Sequence, residues 1–127
     1  MRRKPAQPTN SELAILRVLW ERGPSTVRHV HEALASRETG YTTTLKLMQI
    51  MAEKGLVKRD EGARTHIYTA RFGRDQTQRQ LVSDLVHRAF EGSATALVMH
   101  ALSAHPITEQ ELAEIQDLIR QHRKEHS

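Results

Sequence analysis

The chain has 127 residues, room for one domain or a small domain with a helical appendage, and no cysteine, which excludes disulfides, thiolate chemistry and Cys-ligated metal. Hydrophobic residues make up 38% and aromatics 4%, so the core must be small and mostly aliphatic. The net charge of +4 is uneven: residues 1–71 carry thirteen Lys or Arg against seven Asp or Glu (+6), and residues 72–127 carry six against eight (−2). That asymmetry fits either a solvated surface of mixed charge or a first half that meets a polyanion. The basic start Met1–Lys4 is followed by no apolar stretch, and no run of about 18 apolar residues occurs. Neither a secretory signal nor a membrane span is expected, and the expected compartment is the cytoplasm.

The first helix is signalled at Thr9, with Glu12 three residues later at capping-box spacing. Leu13, Leu16 and Trp20, flanked by Ile15 and Leu19, predict one apolar stripe. Gly23-Pro24 stops it, and Ser25 or Thr26 caps a second helix with Val27, Val30 and Leu34 on one face. That helix decays into the polar turn Ser36-Arg37-Glu38-Thr39-Gly40. A third helix is placed at Thr42-Thr43-Thr44, because threonine is poor inside a helix and good at its start, and it runs to Gly55. Leu56–Arg59 and Arg64–Thr69 then read as extended runs around the turn Asp60-Glu61-Gly62-Ala63, a hairpin.

Beyond Arg71-Phe72-Gly73 the pattern is helical. Leu81, Leu85 and Ala89, beside Val82 and Val86, predict a helix over about 75–90, broken at Gly92. Ser93 caps a shorter helix with Leu97, Val98, Ala101 and Leu102, followed by Pro106. Thr108 and Glu111 form a second capping box, opening a helix through Leu112, Ile115, Leu118 and Ile119. The His- and Arg-rich tail after Gln121 is expected to be disordered. The expected fold is mostly α with a small β-hairpin: an N-terminal winged helix-turn-helix over residues 1–72 and a helical dimerisation segment over residues 73–127.

In that order of elements, helices two and three form the helix-turn-helix and the hairpin is the wing. With Leu47, Met48 and Met51 turned to the core, Thr42, Thr43, Lys46 and Gln49 project from the third helix. These residue types suit thymine methyls, phosphates, guanine and adenine edges of double-stranded DNA. Arg64 and Lys58 on the wing, and Arg28 at the start of the second helix, suit phosphate contact. The plainer reading is an ordinary solvated helix face. The Arg2-Arg3-Lys4 arm suits a minor groove or an unstructured terminus equally well. Leu81, Leu85, Leu97, Leu102, Leu112, Ile115 and Ile119 are too many apolar residues for three short helices to bury alone, which predicts pairing with a second copy.

No nucleophile elbow, phosphate-cradling loop or paired-carboxylate motif accompanies the Ser, His and Asp residues, so no enzyme is expected. His29 and His31 lie on different faces of one helix, poor geometry for a shared metal, and neither metal nor cofactor is expected. A winged-helix protein-interaction module and a regulator that senses metal through its histidines remain open as alternatives.

The chain resembles the BlaI/MecI/CopY family of bacterial repressors, which includes the penicillinase repressors of antibiotic resistance, over residues 9–120. The carriers are Glu12-Leu13-Ala14-Ile15-Leu16, Val18-Leu19-Trp20, Tyr41-Thr42-Thr43-Thr44-Leu45, Glu53-Lys54-Gly55-Leu56-Val57 and His66-Ile67-Tyr68. Phe90-Glu91-Gly92-Ser93 with Leu97-Val98, and Ile107-Thr108-Glu109-Gln110-Glu111-Leu112, extend it. The resemblance implies a homodimer on a palindromic operator, joined through its C-terminal helices and released when a membrane metalloprotease sensor triggers its cleavage. Two positions depart. The penicillinase repressors are cut at an Asn-Phe bond aligned with Leu97–Ala101, where this chain has His100-Ala101. The recognition helix carries Ile50 where the family often has Arg. The cysteine motif of the copper-responsive branch has no counterpart here.

Overall fold

A computed structural model describes residues 7–34, 40–62 and 64–126; the basic arm at Arg2-Arg3-Lys4 and most of the polar turn at 36–40 lie outside the described residues. Among the described residues there are six helices and one antiparallel hairpin, in the order α1 (Asn10–Arg22), α2 (Val27–Ala33), α3 (Tyr41–Lys54), β1 (Val57–Asp60), β2 (Ile67–Ala70), α4 (Arg74–Ala89), α5 (Ala94–Ala104) and α6 (Glu109–Glu125). The chain divides into two compact units, Met1–Val82 and Ser83–Ser127, and the division falls inside α4.

In the first unit, α1 opens on the expected capping box. Glu12 N–H donates to Thr9 Oγ1 at 3.2 Å, and Thr9 N–H donates back to Glu12 Oε1 at 2.8 Å. The buried face of α1 is Glu12, Ile15, Leu16, Val18 and Leu19, with Leu13 and Trp20 at its flank. The stripe is thus rotated from the one centred on Leu13, Leu16 and Trp20. It had no room for Glu12, because a carboxylate is ordinarily scored as solvent-facing.

Thr26 rather than Ser25 caps α2, accepting from His29 N–H at 3.1 Å. Ser25 instead extends the hairpin: its N–H donates to Tyr68 O at 3.0 Å and its carbonyl accepts from Tyr68 N–H at 2.8 Å. α3 begins one residue earlier than predicted, at Tyr41 with Gly40 as N-cap and no side-chain cap. The threonines occupy its first turn instead, where Thr44 is buried. At its other end Gly55 adopts φ 82°, and Leu56 N–H reaches Met51 O at 2.9 Å while Gly55 N–H reaches Ala52 O at 3.2 Å. This is a Schellman stop, and it turns Leu56 into the core. A Cβ on Gly55 would also stand 3.0 Å from Arg71 Nη1. The strands pair Val57 with Ala70 and Arg59 with Tyr68. β1 keeps its predicted length but is shifted on by one residue because Leu56 belongs to the helix stop, and β2 is shorter than predicted, beginning only at Ile67.

The core of this unit joins Ile15, Leu16, Val18 and Leu19 to Val27, Val30, Met48, Met51, Leu56, Val57 and Tyr68. Truncating a fully buried member such as Met48 or Met51 removes about 2–5 kcal/mol. The start of α4 is held to α1: Trp20 Nε1–H donates to Phe72 O at 3.0 Å, and the Arg74 guanidinium lies 5.7 Å from the Trp20 ring centre.

In the second unit, Ser93 caps α5 by accepting from Ala96 N–H at 3.0 Å, and Thr108 with Glu111 caps α6 as predicted. α6 runs to Glu125, into the tail expected to be disordered. Glu109 and Glu111 in its first turn and His122, Arg123 and Lys124 in its last complement the helix dipole, so the basic tail prolongs the helix. Val86 is buried, whereas neither α5 nor α6 buries any residue.

The side chain of Glu12, 2% exposed, also accepts from Lys54 Nζ at 2.7 Å, which ties the start of α1 to the end of α3. Burial by itself would raise the Glu12 carboxyl. Hydrogen bonds from Lys54 and the Thr9 amide, with the ammonium's attraction, outweigh it and hold the group below its ordinary 4.5. A carboxyl lowered by folding stabilises fully above its unfolded value, and that contribution is lost as pH falls through the folded value. Glu12→Gln, which keeps the shape and removes the charge, should therefore cost about 1–3 kcal/mol at pH 7 in a denaturant titration. The difference from the parent chain should shrink steadily as the pH is taken below 4.5. A constant difference down to acid pH would show that the charge has no such role.

Candidate nucleic-acid interface

Thr44, Met48 and Met51, at i, i+4 and i+7, face the core and fix the rotation of α3. The opposite side is therefore solvent-facing, and it carries Thr42, Thr43, Lys46, Gln49, Ile50 and Glu53, all exposed. The position of α3 against α2 rests on a polar contact: His31 Nδ1 and Thr44 Oγ1 are 3.0 Å apart. Tyr41 stands at the helix entrance, with the His31 ring edge-on at 5.9 Å and the Arg28 guanidinium 5.1 Å from its ring centre. Arg28 is thus stacked beside the first turn of α3 instead of ranging freely in solvent, at the helix end where the dipole is positive.

Two grooves flank the exposed stripe. The first, of about 540 Å³, lies between the starts of α2 and α3 and the wing, and is lined by Thr26, Val27, Arg28, His29, Tyr41, Leu45, Arg64, Thr65, His66 and Tyr68. It brings together two predicted phosphate contacts that lie far apart in the unit's sequence, Arg28 and Arg64. The second, of about 510 Å³, is lined by Gln49, Ala52, Glu53, Arg59 and Glu61.

Lys58 joins neither lining. It pairs with Thr69 on the hairpin face opposite the one bearing Arg59 and Tyr68, because successive strand residues alternate. Arg59 takes the inner place, but hydrogen bonding with the Tyr68 side chain, and then with Glu61, holds its guanidinium above its ordinary value. Its charge is largely answered by Glu61 within the wing.

Sequence reasoning named Tyr41 and His66 as carriers of the resemblance but not as site residues; the signal that could have placed them is that an aromatic and a histidine abut the threonine run and the wing. Ile50 drew notice only as a departure from the family pattern, and the structure places it on the open face. Among the described residues no three His, Cys, Asp or Glu side chains converge as a metal site. His29 lines the first groove while His31 is turned to Thr44; His122 and His126 stack at 4.3 Å on the end of α6.

Of the residues predicted to pair two copies, Leu81 lies in the first unit and is half-buried, as are Leu97 and Ile115 in the second. Leu85, Leu102, Leu112 and Ile119 are exposed, and so are Val82, Val98, Met99 and Leu118, which the prediction did not include. His100 and Ala101 are exposed on α5. Among the described residues no helix is long and apolar enough to cross a membrane.

A profile of the family described as "Penicillinase repressor" matches residues 8–121. The chain is 40% identical over 92 residues to the transcriptional regulator BlaI of Mycobacterium tuberculosis (strain CDC 1551 / Oshkosh), covering 70% of this chain and 67% of the relative. It is 19% identical over 122 residues to the penicillinase repressor of Bacillus licheniformis, covering 95% of each. The solution structure of the DNA binding domain of the repressor BlaI superposes with a TM-score of 0.50 at 19% identity, covering 57% of this chain and 90% of that one. That likeness identifies the fold of the first unit, three helices and a wing, as a winged helix. Because the profile runs on through α4, α5 and most of α6, the kinship is not confined to a common fold, and the chain belongs to the penicillinase repressor family.

Proposed function

We propose that this chain is a sequence-specific DNA-binding transcriptional repressor that works as a homodimer on a palindromic operator. The observation that carries the reading is the exposed stripe of α3, with Thr42, Thr43, Lys46 and Gln49 on the side away from the core and Arg28 and Arg64 sharing a groove beside it. Lys46 and Gln49 read base edges, the threonines touch thymine methyls or phosphate, and Arg28 and Arg64 hold the backbone. Lys58, on the outer face of the wing, contributes at most a long-range charge.

Dimerisation is supported by the second unit's own economy. Helices of this length draw most of their stability from packing an apolar face, yet Leu85, Leu102, Leu112 and Ile119 stand exposed in the single chain. A second copy covers them and sets two recognition helices on half-sites one helical turn or a small multiple apart, so the operator's symmetry follows the protein's. Occupying the promoter then blocks transcription. Release by a membrane metalloprotease sensor belongs to the same reading: α5 exposes His100-Ala101 at the position aligned with the family's cut site, and a cut there severs the dimer segment without touching a DNA contact.

Affinity for the operator should fall steeply with salt, with log K declining by roughly 0.9 per phosphate neutralised; a nearly flat dependence between low and moderate salt would rule the interface out. Replacing Lys46 or Gln49 by Ala should cost about 1–3 kcal/mol and relax preference at one base pair. Arg64→Ala should weaken all sequences alike and shallow the salt slope by about one. The assignment is reversed if Arg64→Ala shifts sequence preference and Gln49→Ala does not. A chain ending after Val82 keeps the contacts of Trp20 with Phe72 and Arg74, and should sediment as a monomer. It should bind the full operator orders of magnitude more weakly, since the second half-site loses its high effective concentration. A truncated chain that stays dimeric, or binds as tightly as the whole, refutes the division of labour.

A further inference from the structure

Ile50 is an anomaly on the open face of α3. It is 37% exposed, and belongs neither to the core nor to the partly buried residues packed against it. Thr43, Lys46 and Ile50 stand at i, i+3 and i+7, one above another on a straight helix, and every other exposed side chain of this face is polar or charged. From Thr42 to Ile50 the helix rises about 12 Å, the width of a B-DNA major groove, so a helix seated by its first turns carries Ile50 to the far side of the same groove. An aliphatic side chain there can satisfy no phosphate and no base nitrogen or oxygen. The one apolar group that B-DNA displays in the major groove is the thymine C5-methyl.

We propose that Ile50 is a specificity-determining residue that selects a T·A pair in the operator by packing its side chain on the thymine methyl. The proposal rests on the repressor reading above and adds the base that this position selects. At a cytosine the methyl is replaced by hydrogen and the exocyclic amine presents a donor that Ile50 leaves unmatched, and at a purine the N7 acceptor is desolvated without return. Selection by Ile50 is therefore for a methyl group and is blind to the hydrogen-bonding pattern of uracil against thymine, which is the same.

That blindness supplies the test. With the full chain and an operator obtained by selection from random duplex DNA, each thymine is replaced in turn by deoxyuridine, which removes the methyl and leaves every hydrogen bond. A replacement in a single half-site should weaken binding about fourfold, the effect of losing one buried methyl-sized contact. Ile50→Ala should bind the thymine and deoxyuridine duplexes equally at that position, with thymine elsewhere read as before; Ile50→Val should keep part of the difference. Alanine is the better helix former at an exposed site, so thermal unfolding should show Ile50→Ala folded as well as the parent. If no deoxyuridine replacement weakens the parent chain, or if Ile50→Ala keeps the parent's full sensitivity, the assignment of Ile50 is overturned while the repressor reading stands. If no duplex is selected at all, the repressor reading itself fails, and the proposal with it.

Discussion

The carboxylate of Glu12 is the constraint on which the winged-helix unit turns. One oxygen, Oε1, accepts both the Thr9 amide at 2.8 Å and the Lys54 ammonium at 2.7 Å. The first bond closes the start of α1, and the second reaches the last residue of α3, so one buried group couples the entry of the first helix to the exit of the third. A buried charge is tolerable only where such partners stand in good geometry. Once Lys54 is held there, the Schellman stop at Gly55 directs Leu56 and the wing back across the core, and the rotation of α3 follows.

That rotation decides what the protein presents to its surroundings. With Met48 and Met51 locked inward and Thr44 held by His31, the opposite face of α3 has no choice but to be open. Arg28 and Arg64 come from elements far apart in sequence, and they share a groove because the starts of α2 and α3 and the wing converge on the core through Val27 and Tyr68. The proposed recognition surface is in this sense the outside of a packing arrangement whose inside is aliphatic.

The second unit obeys a different rule. Its helices are well capped, by Ser93 and by the Thr108–Glu111 box, and α6 is charged favourably at both ends. Local structure is therefore secured by the backbone and its caps, while all but Val86 of the apolar residues that ordinarily secure a helix bundle lie exposed or half-buried in the single chain. A unit that is formed locally and leaves its apolar residues open is the observation from which the pairing of two copies is proposed.

Much of this was determined locally and was legible in the residues themselves. Capping at Thr9, Ser93 and Thr108, the stop at Gly55, the hairpin, and the polar face Thr42–Gln49 depend on neighbours within a few positions. The order of elements was enough for the fold class, and the family resemblance was carried by particular residues such as Tyr41–Leu45 and Glu53–Val57. What tertiary structure alone decided are the places where distant groups change a residue's expected environment. Glu12 is buried because Lys54, 42 positions away, answers its charge. Lys58 turns outward and Arg59 inward because strand register with Thr69 and Tyr68 fixes the alternation. Ser25 leaves the helix cap to Thr26 because the backbone of Tyr68 claims it in a one-residue antiparallel bridge. Helical and strand periodicities report which side of an element is apolar, but the partner that lets a charge go inside, or leaves an isoleucine such as Ile50 outside, is set only when the elements meet.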